Sequence, residues 1–516
     1  MVALPHETTV LLPGTPEYAK KLRHAWRVCS VTSLGLVLIG INASTLNVAL
    51  PSVVRHFRAD AFASSWILLS YLLVNTATLV FFGRVADLLG RREVYLVGFA
   101  IFTVCSLLAG MSPGVGFLIA MRALQALGAA MILANGTVII TDAFPPDRLS
   151  QGMGVYIGTL SVAQLAGPTL GGLIAEAAGW QWVFWVNVPA GVIGLVWGWA
   201  TLRRVPAGPR TPVDVTGNLL VFAALSAVLI ALSEAGSRGL SSPVVITGGL
   251  IFLILVPVLV VVERRASHPV LDLRLFGERM LTFANLASFC TALSRSALVL
   301  LVALYFQAAR GIDAFTAALG VLPVPIGMAL ASPIAGALGR RISPYALSVG
   351  GCLLNFAGLL SLLLATGTTP PYWVIGTGLF LAGCGNGAFL TGNTTQVMSA
   401  LPPGSLGVVN GFRLMIMNVG IVLSVATTLS VLTSAVSPEL RDLVYAGTLS
   451  RLSPVAVEQL MSGFQRTYLV LATVALAGVV TAACARPRRA RQPGAGGFLR
   501  ARASTPASSR STPNVK

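Results

Sequence analysis

Charged residues are scarce in this chain of 516 residues, making up 10% of it, and only 17 residues are acidic. Soluble domains carry about 25% charged residues, which excludes an ordinary soluble domain. Apolar stretches of about 20 residues recur from Val28 to Cys484, and each is long enough to cross a hydrocarbon core of about 30 Å. Because such segments satisfy their backbone hydrogen bonds in lipid as helices, the sequence predicts an all-α, polytopic membrane helix bundle.

Residues that bind metals or carry out catalysis are also few. The six cysteines show no CxxC spacing, so we interpret them as packing residues, and the four histidines lie outside the apolar runs. The sequence contains no HExxH or GxSxG element in a suitable context and no Walker-type loop. We therefore predict no cofactor, no metal site, no catalytic residues and no enzymatic activity.

The apolar runs between charges and turn residues predict about fourteen membrane spans. Their approximate bounds are 28–53, 64–82, 94–110, 116–139, 151–174, 182–202, 215–236, 243–262, 280–307, 314–337, 344–366, 371–393, 406–433 and 465–485.

Lysine and arginine are distributed unequally between the two ends of these spans. If the N-terminus is cytoplasmic, the inner segments hold 25 of them and the outer loops hold seven. This asymmetry follows the positive-inside rule and predicts a multi-pass protein of the plasma or inner membrane with both termini in the cytoplasm. The net charge of +18 then faces anionic membrane lipid, so we expect no nucleic acid partner.

A short internal repeat divides the chain into two halves. The loop after the second span reads GRVADLLGRR, Gly83 to Arg92, and the equivalent loop of the second half reads GALGRR, Gly336 to Arg341. The predicted parts are a cytoplasmic N-terminal arm at 1–27, a six-helix half at 28–202, two extra helices with linkers at 203–279, a second six-helix half at 280–485, and a disordered basic cytoplasmic tail at 486–516.

Three motifs resemble those of the major facilitator superfamily. The first loop resembles its signature loop through Gly83, Asp87, Gly90, Arg91 and Arg92. The fourth span resembles its fourth-helix motif through Arg122, Gln125 and Gly128. The fifth span resembles its antiporter motif through Gly167, Pro168, Gly171 and Gly172.

This resemblance implies the major facilitator fold and a central pathway that opens alternately to each side of the membrane. Asp87, Arg91 and Arg92 would control the inner gate, and the glycines and proline of the antiporter motif would permit helix motion. The alternative for the loop is a charged turn that only fixes topology. The alternative for the fourth span is an arginine that snorkels to the outer surface. The alternative for the fifth span is ordinary small-residue packing.

Further elements resemble the fourteen-spanner drug:proton antiporter family. They are NVALPSV (Asn47 to Val53), Trp66 and Tyr71, FWVNVPAG (Phe184 to Gly191) and VDVTG (Val213 to Gly217). The resemblance implies a multidrug efflux transporter, expected to be monomeric, whose partners are a small lipophilic substrate and protons.

The sequence departs from this family at Asn42, where an acidic residue is usual. None of the 17 acidic residues lies near the middle of a predicted span, and the deepest charges are Arg122, Arg295 and Arg413. Since buried carboxylates usually carry protons and attract cations, we hypothesise a pathway for neutral or anionic lipophiles. The candidate cavity residues are Asn42, Gln125 and Arg295, although Arg295 could instead pair with backbone carbonyls or a polar neighbour.

Several alternatives remain open at this level. The protein could be an uncoupled or differently coupled exporter of a lipid or metabolite, or a transporter-like sensor without flux. A channel is disfavoured because no filter-like element is present. The outer segment 434–465 is interpreted as a connector, with a partner-binding role as its alternative.

Overall fold

The computed structural model describes residues 13–204, 215–238, 242–265, 277–312, 314–366, 371–402, 405–435 and 454–487. Within these ranges the chain forms seventeen α-helices. They are α1 Pro16–Phe57, α2 Ala61–Leu89, α3 Arg91–Gly110, α4 Val115–Ala143, α5 Leu149–Ala177, α6 Trp182–Trp185, α7 Asn187–Thr201, α8 Val215–Arg238, α9 Pro243–Arg265, α10 Arg279–Ser296, α11 Leu298–Arg310, α12 Ala314–Gly320, α13 Pro323–Leu338, α14 Pro344–Ala365, α15 Tyr372–Ala400, α16 Leu406–Ser434 and α17 Pro454–Cys484.

The predicted all-α membrane helix bundle is confirmed. In the described part of the chain, eleven helical segments are long and apolar enough to cross a membrane, or twelve if the bent α5 is one span. Two shorter apolar helices, Leu219–Ala231 and Pro323–Leu338, fall in two further predicted spans. The exact count of fourteen stays a prediction.

The first and last helices begin earlier than predicted. Thr15 caps α1 by accepting a hydrogen bond from the backbone N–H of Tyr18, at 3.3 Å, and Pro16 occupies a first-turn position that favours helix initiation. Residues 16–27 of the predicted N-terminal arm therefore continue the first helix. Similarly, α17 begins at Pro454, so the last part of the predicted outer connector 434–465 is helical. Residues 436–453 of that connector, and the predicted tail from 488 onward, lie outside the described residues.

The two halves meet through two helix pairs at the end of the bundle where α1 begins, which we call the inner end. In the first pair, α2 packs against α16, and a Cβ atom on Gly83 would collide with the Gly407 carbonyl. In the second pair, α5 packs against α13, and a Cβ atom on Gly154 would lie 2.8 Å from the Cα of Gly336. Glycine permits both backbone approaches because a larger residue would overlap the opposite helix.

These helix pairs are related by the internal repeat. The second spans of the two halves, α2 and α13, each pack against the fifth span of the opposite half, α16 or α5. Gly336 is the first residue of the GALGRR loop and contacts the first half. Gly83 is the first residue of the GRVADLLGRR loop and contacts the second half. The division into two six-helix halves stays a prediction, and these contacts are the ones that such a division would place between the halves.

The two extra helices lie outside this arrangement. The apolar residues Val221 and Leu225 of α8 cluster with Ala77, Val80 and Met415 of α2 and α16. Helix α9 packs closely on α8 at Gly248, but residues such as Leu253 remain 70% exposed. An apolar helix with so exposed a surface is expected to face lipid.

The charge asymmetry and the fold together predict which residues face each side of the membrane. We expect Glu17→Cys to react with an impermeant maleimide in inverted vesicles and Met111→Cys to react in intact cells. Both positions are exposed, and they lie at opposite ends of the bundle. Labelling of the unsubstituted chain, whose native cysteines are buried or half-buried, provides the background. The reverse labelling pattern would contradict the cytoplasmic placement of the inner end.

Candidate functional site

A cavity of about 250 Å³ lies between the two halves, midway along the helices. Its walls come from α1, α2, α4 and α5 of the first half and from α10, α13, α15 and α16 of the second. Much of the wall is apolar, with Leu36, Leu72 and Phe389 as examples. The polar lining residues are Tyr71, Asn75, Thr137, Tyr156, Gln164, Ser288, Thr291, Arg295, Asn386, Thr394, Arg413 and Asn418.

Two arginines give this cavity its charge. Arg295 of α10 and Arg413 of α16 line it, and its lining residues in the described part of the chain include no aspartate or glutamate. The Nε atoms of both arginines are buried and have no hydrogen-bond partner among the described residues. Since an unpaired buried donor is costly, an anionic or hydrogen-bond-accepting ligand would be favoured here.

Arg413 also takes part in a contact between the halves. Its Nη2 donates a hydrogen bond to Asn410 Oδ1 at 3.2 Å, and Asn410 Nδ2 donates to the carbonyl of Ala134 in α4 at 2.8 Å. A second bond across the halves runs from Asn418 Nδ2 to Thr76 Oγ1 at 3.1 Å. The two bonds donated by Asn410 and Asn418 hold α16 to the first half next to the cavity.

The third intramembrane arginine, Arg122, lies away from the cavity with its partners supplied by the protein. Its Nη1 donates to Asn42 Oδ1 at 2.7 Å and to Gln125 Oε1 at 2.6 Å. Its guanidinium carbon lies 4.2 Å from the centre of the Tyr71 ring, a cation–π geometry. Arg122 is only 2% exposed, so it does not snorkel to the surface.

The prediction that Asn42 and Gln125 line the cavity is therefore corrected. Both side chains are fully buried and are absent from the cavity lining, whereas Arg295 does line it. Gln125 Nε2 donates to Ser106 Oγ at 2.6 Å, which extends the polar cluster away from the cavity. The physical reason is that a buried guanidinium needs acceptors, and these two amides provide them.

At the inner end, Asp87 joins the two halves. The backbone N–H of Gly407, in the first turn of α16, donates to Asp87 Oδ2 at 3.1 Å. Arg91 Nη2 lies 3.0 Å from Asp87 Oδ1, and Arg91 Nη1 also forms an ion pair with Asp142. The Asp87 side chain is only 3% exposed, so this carboxylate lies between an arginine and the positive end of a helix dipole.

The rest of the signature loop holds α2 and α3 in place. Gly90 separates them with a φ of +107°, a backbone conformation that favours glycine. Arg92 reaches the end of α7, where its Nε donates to the carbonyl of Leu202 at 2.7 Å. Gly128 of the fourth-helix motif allows α4 to approach α3, because a Cβ atom there would lie 2.7 Å from the Gly98 carbonyl.

The antiporter motif packs α5 against α1. A Cβ atom on Gly167 would collide with Ser44, and one on Gly171 would lie 2.6 Å from the Cα of Thr45. Gly172 has room, since a Cβ atom there would lie 3.7 Å from its nearest neighbour. Helix α5 bends by 40° between the segment that ends at Gly167 and the one that begins at Thr169. Pro168 lies at this bend, as expected for a residue that cannot donate a helix hydrogen bond.

Sequence reasoning missed most of the polar cavity lining. Tyr156, Asn386 and Asn418 lie in apolar spans, and polar residues within a span signal an inward-facing position. The sequence places Arg413 deep in its span but does not show that it faces the cavity. Within the described residues, no group of three His, Cys, Asp or Glu side chains could hold a metal ion.

Residues 32–425 match the Major Facilitator Superfamily. The chain belongs to this family. As a major facilitator protein it is a transporter and a multi-pass membrane protein, and its two-half architecture with a central cavity is that of the family's fold.

Two relatives support the assignment, and a solved structure has a similar fold. The chain is 31% identical over 384 residues to the multidrug resistance protein Stp of Mycobacterium tuberculosis, covering 74% of this chain and 71% of Stp. It is 29% identical over 406 residues to the riboflavin transporter RibZ of Clostridioides difficile, covering 78% of this chain and 88% of RibZ. The human organic anion transporter MFSD10 (TETRAN) has a similar fold, with a TM-score of 0.61 and 18% identity over 89% of this chain and 99% of that one.

The Arg122 cluster predicts a stability effect. Asn42→Ala should lower the free energy of unfolding by about 1.5–3 kcal/mol, because a buried guanidinium loses an acceptor. The measurement is the thermal unfolding midpoint in detergent, followed by intrinsic fluorescence. Asn47→Ala, on an exposed position of the same helix, is the matched control. Equal midpoints for the two variants would contradict a structural role for Asn42.

Proposed function

We propose that this protein exports small lipophilic molecules, neutral or anionic, in the manner of a multidrug efflux transporter. The observation that carries the proposal is the central cavity, whose wall is largely apolar and whose charges are Arg295 and Arg413. Apolar walls favour a lipophilic substrate, and the arginines favour a negative charge or hydrogen-bond acceptors on it. A lipophilic cation would be repelled by both guanidinium groups.

Alternating access would operate through the inner-end contacts. Asp87, Arg91 and the N-terminus of α16 hold the halves together at that end, beside the Gly83–Gly407 approach. Opening towards the cytoplasm requires these contacts to separate. Gly167, Pro168 and Gly171 provide a bend and a smooth surface along which α5 and α1 move. Asp87, Arg91 and Arg92 are thus proposed as the inner gate.

The type of substrate is supported by the relatives. Stp is named for multidrug resistance and RibZ for riboflavin transport, and both names indicate small organic molecules. The antiporter motif in α5 supports export. Because these relatives are bacterial, we place the protein in a bacterial plasma membrane.

The proton gradient is the proposed energy source by resemblance to the fourteen-spanner family. A second candidate, export driven by other means, is favoured by the cavity lining, which within the described residues holds no carboxylate to carry a proton. The membrane potential alone would drive an anion outward, because moving one charge across 100 mV is worth about 2.3 kcal/mol.

The proposed function is tested by transport into inverted vesicles. We expect a lipophilic anion to accumulate and a lipophilic cation to accumulate less, and we expect Asp87→Asn to transport neither. Collapsing the pH gradient and the potential separately identifies the driving force. Dependence on the pH gradient supports proton antiport, and dependence on the potential alone supports the second candidate. Binding without net flux and without counterflow in proteoliposomes would contradict transport and favour a sensor.

Arg295 is predicted to select the charge of the substrate. Arg295→Ala should lower kcat/KM for a lipophilic anion by about tenfold or more, because a charge-assisted interaction is lost, and should change transport of a neutral probe by less than about twofold. Arg295→Lys retains the charge and is the control that should keep the anion preference. Unchanged selectivity in Arg295→Ala would remove Arg295 from the binding site.

A further inference from the structure

A second, larger cavity of about 490 Å³ lies at the inner end of the first half, apart from the central cavity. Its walls come from the first turns of α1, the start of α3, the end of α4 and the segment after α7. At this level the start of α1 lies at the predicted membrane surface, before the apolar span that begins near residue 28. The cavity therefore opens where lipid headgroups are expected.

The lining of this cavity is strongly basic. Its basic residues are Lys20, Lys21, Arg91, Arg92 and Arg203, and its acidic residues are Glu17 and Asp142. His24 also lines the cavity. Of the two acids, Asp142 is already paired with Arg91. Among the described residues, Lys20, Lys21 and Arg203 form no salt bridge, so their charges are available to a ligand.

The walls of the cavity are fixed without any ligand. The Tyr18 hydroxyl donates to Asp147 Oδ2 at 2.5 Å, and Trp26 packs edge-on against Phe144 with ring centres 5.2 Å apart, so the start of α1 is held against the loop after α4. On the opposite side, Arg92 Nη2 donates to the carbonyl of Trp199 at 2.9 Å and holds the end of α7. The helices that carry the basic residues are therefore held around the space in advance of binding.

Exposed tryptophan side chains lie beside this cavity. A neighbouring cavity of about 290 Å³ shares His24, Leu202 and Arg203 with it and extends to Arg27 and Trp197. Trp197 is 43% exposed and Trp199 is 69% exposed. Tryptophan is enriched at the membrane interface, where it contacts both headgroups and acyl chains.

We propose that this inner cavity binds the phosphate group of an anionic phospholipid in the leaflet at the inner end. Basic pockets between membrane helices on the cytoplasmic side suit such headgroups, and the exposed tryptophans beside this one suit the attached acyl chains. The site is separate from the central cavity and does not depend on the proposed substrate, although Arg91 and Arg92 also belong to the proposed inner gate. Because Arg91 lines the cavity and also holds Asp87, a bound phosphate would compete with Asp87 and Asp142 for that arginine.

Titration of the detergent-solubilised full chain with phosphatidylglycerol, followed by native mass spectrometry, tests the proposal. The variant Lys20→Gln/Lys21→Gln should bind phosphatidylglycerol at least about fivefold more weakly than the unsubstituted chain, because each basic residue near an anionic lipid contributes about a fivefold factor. Phosphatidylcholine should bind weakly to both. The matched control is Arg264→Gln/Arg265→Gln, which removes the same charge from exposed residues at the end of α9 and should leave binding within twofold.

Two outcomes would overturn the proposal. Equal weakening of phosphatidylglycerol binding in the two double variants would mean that the lipid is attracted by general surface charge and that this cavity is not a specific site. Displacement of phosphatidylglycerol by equimolar glycerol 3-phosphate would show that a free phosphate is the ligand and the lipid is not. Arg203→Gln provides a second, single-charge variant, expected to weaken phosphatidylglycerol binding severalfold, should the double variant unfold in detergent.

Discussion

A guanidinium group inside a membrane-spanning bundle must be given hydrogen-bond acceptors by the protein or by something the protein binds. This requirement organises the middle of the molecule. Arg122 receives two side-chain amides and an aromatic face, so it belongs to the framework of the first half. Arg413 receives one amide, and Arg295 faces the central cavity with its Nε unpaired among the described residues. The three arginines thus differ in their surroundings. Arg122 belongs to a structural cluster, whereas Arg295 has a donor available to a ligand in the cavity.

The sequence predicted the class of fold well because its signals are local. Apolar runs, their lengths and the charges between them identify membrane helices, and the GRVADLLGRR and GALGRR loops identify the repeat. Helix starts were predicted less well. A hydropathy reading begins a span where charges stop, whereas Thr15 and Pro16 begin α1 while the chain is still polar.

The site was harder to predict because a sequence gives the depth of a residue in the membrane but not the direction in which it faces. Asn42 and Arg295 are both near the middle of a span, yet Asn42 faces Arg122 and Arg295 faces the cavity. Only the packing of neighbouring helices decides between these directions. The two loops show the same limit, since the similarity of GRVADLLGRR and GALGRR is visible in the sequence but the helices that pack against them, α16 and α5, are not.

The two related contacts at the inner end differ in chemistry. In the alignment of the two GRR endings, the position of Asp87 corresponds to Gly336. Both contacts contain closely apposed glycines, and the first also contains a buried carboxylate with its arginine. The first contact is therefore limited by both charge and volume, whereas the second is limited at the aligned position by volume. Two contacts at related positions thus depend on different forces, one on the pairing of a buried charge and the other on the close packing of two helix backbones.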